Sequence, residues 1–121
     1  MIDTILDPKI WLILVAAAHS IMGIILPTDW SKSNNKAMGG YLLLTAFTML
    51  YAAFMMDGEE QARLALVIAG QVWVWFIVSI MMELEIDMGE EPIVMTWKQN
   101  VPPLVLWGVL ALSGLLASGW I

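Results

Sequence analysis

Cysteine is absent from this chain, histidine occurs once, and Lys and Arg together number 5 of 121 residues. Without Cys there is no disulfide framework, no thiol nucleophile and no thiolate metal site, and the redox compartment leaves no mark on the sequence. With only one His, the imidazole pairs that commonly hold haem or a transition metal have no basis. The five basic residues stand against 11 acidic ones, for a net charge of −6. That balance argues against a nucleic-acid partner and against docking on anionic headgroups through a basic patch. Charge of either sign is scarce, at 13% of residues, where a soluble domain carries about a quarter. Also missing are a Gly-rich phosphate loop, a Ser/His/Asp set, an HExxH helix and a pair of carboxylates inside an apolar run. The common hydrolytic and group-transfer mechanisms therefore lack their parts.

What is present is apolar sequence in long runs, with 60% of residues hydrophobic. The clearest is Leu64–Met82, which holds no charge and has one amide, Gln71, in its middle. Its length matches the roughly 20 residues needed to cross a bilayer as a helix. Three further runs lead to an expectation of an all-α membrane protein, a single domain of residues 1–121 with four transmembrane helices over about 9–26, 38–56, 62–82 and 101–121. Four in number, they read as an up-down-up-down bundle with both termini on the same side, the longest connection being Glu83–Asn100. The first run reads as a retained helix rather than a signal peptide. Its leader carries Asp3 and Asp7 against Lys9, and its small residues Ala16–Ala18 lie within the apolar stretch.

The connections carry the punctuation. Asp7-Pro8 can cap and open the first helix, and Pro27 stops it before a polar loop that includes Asp29, Lys32 and Lys36. Asp57-Gly58-Glu59-Glu60 separates the second helix from the third, with Gly58 suited to a left-handed cap. The third helix is expected to continue in water to about Met88. Ile93–Trp97 reads as a turn or two of interfacial helix, and Asn100-Val-Pro-Pro103 opens the last span. Trp11, Trp30, Trp97 and Trp120 fall where ring-bearing anchors sit at the interface. Trp73, Trp75 and Trp107 lie deeper, either facing lipid or lining a pocket for an apolar ligand.

Bilayer helices pack through small and hydrogen-bonding residues, so those mark inward faces. Tyr41, Thr45, Thr48 and Ala52 form one stripe; Ala16, Ser20 and Gly23 a second; Ala111, Gly114 and Ser118 a third. On the third helix Gln71, Trp75, Ser79 and Met82 share a face, and Ala65 and Ala69 offer another. His19, Thr45, Thr48, Gln71 and Ser113 all fall near mid-helix depth, which leads to the expectation of one inward hydrogen-bonded layer, a ligand or ion pathway if it is functional. An ionisable residue at that depth is a functional-site hypothesis by default. For His19 and Gln71 the structural reading, interhelical hydrogen bonding, stands ahead of ligand contact.

Glu83, Glu85, Asp87, Glu90 and Glu91 crowd one connection, and Asp29 belongs on the same side. In extended form the first three would share a face and offer oxygens to a hard cation. No calcium-loop spacing is present, and the cluster reads first as a solvated acidic mouth. No cofactor is indicated. The expected partners are the lipid bilayer and other membrane helices, in a homo-oligomer or a larger complex. The leading function is a non-catalytic accessory, scaffold or self-associating membrane component. The alternative is a small oligomeric transporter or cation-conducting protein using His19, Thr45, Thr48 and Gln71 below the acidic mouth. A lipid-active enzyme with His19 as its acid–base group ranks third.

Overall fold

A computed structural model describes residues 2–25, 31–86 and 92–121. In order along the chain these form α1 (Ile2–Ile5), α2 (Pro8–Ile25), α3 (Ser33–Met55), α4 (Gly58–Met81), β1 (Glu85–Ile86), β2 (Ile93–Val94) and α5 (Val101–Ala117). The molecule is mostly helical, with three long apolar helices and a shorter fourth, an arrangement compatible with a helical bundle. The stretches Asp3–Ile25, Ser33–Met55 and Gly58–Met81 are long and apolar enough to cross a membrane. At about 1.5 Å per residue, α5 reaches about 26 Å, somewhat short of a ~30 Å hydrocarbon core.

The helix ends follow local chemistry. Asp7 caps α2 as its position predicts: Lys9 N donates to Asp7 Oδ1 at 2.9 Å. α3 starts at Ser33, inside the polar loop and ahead of the expected Met38. Only Met56 and Asp57 separate α3 from α4. Gly58 adopts φ +59, but at the start of α4 rather than as a cap on α3.

At its other end α4 stops at Met81 and does not run on to Met88. Glu83 takes a left-handed φ of 50. Leu84 N donates to Ser79 O and Glu83 N to Ile80 O. That pair of bonds is a Schellman closure, which satisfies the carbonyls of a helix's last turn. The expected interfacial helix at Ile93–Trp97 is also replaced, in part, by a strand. Glu85 pairs with Val94 and Ile86 with Ile93 in an antiparallel ribbon.

Neighbouring helices run antiparallel. Near the end of α2, a Cβ on Gly23 would lie 3.0 Å from Leu42 Cβ and 3.3 Å from Gly39 O, early in α3. At the opposite end Lys9 Nζ sits over the Phe54 ring. α4 and α5 approach still more closely, since a Cβ on Gly114 would fall 2.6 Å from Ala62 O and 2.7 Å from Leu66 N. The core between the helices is small-residue packing, with Ala16, Ala46, Ala53, Ala65 and Ala69 interleaved with Leu12, Met49, Trp107 and Leu110.

Candidate functional site

Of the five mid-depth polar residues, the structure brings no two into contact through a described hydrogen bond. Thr45 Oγ1 donates to Tyr41 O at 2.9 Å and Thr48 Oγ1 to Leu44 O at 3.0 Å, each within α3. Ser113 is fully buried but donates to Leu110 O on its own helix. A β-hydroxyl reaches back to the carbonyl one turn earlier with little adjustment, so it needs no partner helix. His19 is half-buried and meets Trp107 edge to face, with ring centroids 5.2 Å apart. Gln71 is exposed on the outer face of α4.

Ser113 is buried and His19 and Thr45 are partly so, whereas Gln71 and Thr48 are exposed, and the alanines account for where Gln71 points. Ala62, Ala65 and Ala69 are fully buried and let α5 settle against that side through Gly114. Contact on this face turns Gln71 and Trp75 away from the interior. On α3 the same rule sends Tyr41 and Thr48 outward and buries Gly39, Ala46, Met49, Ala52 and Ala53. The stripes Ala16–Gly23 on α2 and Gly114–Ser118 on α5 do face inward, with Ala16, Gly23, Gly114 and Ser118 all buried.

The acidic mouth is described only in part. Glu83 and Glu85 are exposed and lie on either side of the turn that leaves α4. Asp29, Asp87, Glu90 and Glu91 lie outside the described residues. Among the described residues no three His, Cys, Asp or Glu side chains come together as a metal-binding group.

The denser polar architecture is at the opposite end, where α2 begins, α3 turns into α4 and α5 finishes. Gln61 is 7% exposed. Its Nε2 lies within 3.0 Å of Ala52 O, Ala53 O and Met56 O. Ala52 and Ala53 lie in the last turn of α3 and Met56 directly follows it, where backbone carbonyls lack donors within the helix. The side chain of one helix thus closes the end of the previous one. Arg63 Nε donates to Ser118 O, its Nη2 pairs with Glu59 at 2.9 Å, and its guanidinium lies over the Trp120 ring. A cleft of about 470 Å³ opens beside them, lined by Asp3, Asp7, Glu59, Gln61, Ser113 and neighbouring residues. Sequence reasoning missed Gln61 and Arg63 as organising residues. The available signal was the two-residue turn, since a Gln in the first turn after so short a connection can reach the preceding helix end. Trp73, one of the deep tryptophans, donates from Nε1 to Leu104 O at 3.1 Å and ties α4 to α5.

Comparison of the chain with known protein families, with curated proteins and with solved structures gives no match. The functional reading rests on the residues themselves.

Proposed function

We propose that this chain is a small multi-pass integral membrane protein with a non-catalytic role: an accessory, scaffold or self-associating component. The four helices cross the bilayer in alternation, and both termini lie on one side. α5, the shortest, is completed as a span by the interfacial rings of Trp97 and Trp120. One observation carries the reading against transport and catalysis: the mid-depth polar groups do not converge. Thr45, Thr48 and Ser113 are satisfied within their own helices, and Gln71 points outward. Charged side chains collect instead at the two helix ends, as the low tolerance of hydrocarbon for charge requires.

The test is extraction and native mass spectrometry in mild detergent. The protein is expected to resist alkaline washing of membranes and to elute with stoichiometric partner chains or further copies of itself. Release from membranes by alkali would refute the membrane reading. Cation flux into liposomes that falls on His19→Ala would instead favour the small oligomeric transporter, with His19, Thr45, Thr48, Gln71 and Ser113 as its pathway.

A further inference from the structure

The outer face of α4 carries an unanswered polar group. Among the described residues, Gln71 has no hydrogen-bond partner, although it lies near the middle of a helix long and apolar enough to span a membrane. In hydrocarbon an amide without partners is costly, because no water is there to replace them. The outward hydroxyl of Thr48 on α3 presents no such demand, since Leu44 O already accepts from it. The exposed face of α4 thus presents a mid-helix amide with no partner among the described residues.

The residues around Gln71 have a specific spacing. Leu64, Val67, Gln71, Val74, Val78 and Met81 follow one another at alternating intervals of three and four. Val67, Gln71, Val74 and Met81 are exposed, and Leu64 and Val78 are partly so. This spacing fits the seam of a left-handed helix pair, in which Gln71 would take an a position. A single amide at such a position is a known device for setting register and partner number.

We propose that α4 is a homodimer interface, in which Gln71 of one copy pairs with Gln71 of a second copy of this chain across a two-fold axis normal to the membrane. The inference rests on the membrane reading above. Copies inserted in the same orientation place identical residues at identical depth. An amide has both a donor and an acceptor, so two Gln71 side chains satisfy each other reciprocally, as a two-fold interface requires. Val67 and Val74 pack on either side of the pair with little side-chain entropy to lose. Nothing about the pairing needs another protein.

The chain has no natural Cys, so single-cysteine variants report directly. In phosphatidylcholine vesicles, Val67→Cys and Val74→Cys are expected to cross-link between copies, and Phe47→Cys on the α3 face is not. Fluorescence energy transfer between labelled copies in the same vesicles is expected to show association. It should weaken about 3- to 30-fold in Gln71→Leu, the range for one interhelical hydrogen bond in a membrane, and stay near the wild-type value in Gln71→Asn. Gln71 is exposed, so Leu at this position leaves the fold of the monomer intact. Alkaline washing of the vesicles separates the two levels of failure. Protein that washes out overturns the membrane reading and the dimer with it. Protein that is retained but monomeric, equally associated as Gln71→Leu, or cross-linked through Phe47→Cys overturns the dimer alone.

Discussion

Gln61 and Gln71 are the same residue type on the same helix, ten residues apart, and they have opposite roles. Gln61 is inside, where its amide donors answer the last carbonyls of α3. Gln61→Ala should lower stability by about 1–3 kcal/mol, because several buried acceptors lose their donor at once. Unfolding by SDS titration in mixed micelles measures this, and an unchanged midpoint would show that water takes over the capping. Gly114 is the second decisive position. Gly114→Ala places a methyl 2.6 Å from Ala62 O, against backbone that has no rotamer to change. A loss of about 1–3 kcal/mol is expected. Gly40→Ala, with nothing within 4 Å of its Cβ, should leave the same titration unchanged or slightly improved, since Ala is the better helix former. The small-residue stripes of α2 and α5 were legible in the sequence, because closeness of approach has a compositional signature. The rotation of α4 was not. It has two plausible faces, one with alanines and one with an amide, and only contact with Gly114 selects between them.

The elements were readable where the ending signal is local. Asp7 at the start of α2 and the prolines in the first turn of α5 act locally, and the helices begin there. The end of α4 was misread because its stop is a backbone conformation on a residue that does not advertise it. Glu83 sits at φ 50 with a side chain that would prefer otherwise. Glu83→Gly is expected to raise stability by up to about 1 kcal/mol by relieving that conformation. Thermal unfolding in detergent is the measurement, and a destabilised variant would mean that the carboxylate itself makes a needed interaction. The ribbon of β1 and β2 escaped for a different reason. Two-residue strands have no period to detect, and they depend on pairing across a connection.

At the scale of the whole molecule, the two ends are unlike. One end is built by Lys9, Gln61, Arg63 and Trp120, which join α2, α3, α4 and the end of α5. The other carries the exposed Glu83 and Glu85 on a turn. If the helices alternate across a bilayer, tags on both termini must be digested by protease from one side and protected from the other. Digestion of the two tags from opposite sides would remove one span and single out α5, the shortest. The contacts of the Gln61 end also predict that Arg63→Ala loosens the end of α5 against α4 more than loss of its surface ion pair would. An exposed pair of this kind contributes about 0.3–0.5 kcal/mol, whereas Arg63 also holds Ser118 O and covers Trp120. Hydrogen exchange over residues 115–121 reads that directly.

By itself the sequence determined that this is a chain of long apolar helices with its charges confined to their ends. Those properties are read from composition along a single dimension and need no knowledge of which residues meet. Which way each helix faces was decided only by tertiary structure. A helix of Ala, Val, Leu and Trp offers nearly the same hydropathy on every side. The difference between a buried amide and an exposed one then comes from a few tenths of a nanometre of backbone approach at Ala62 and Gly114.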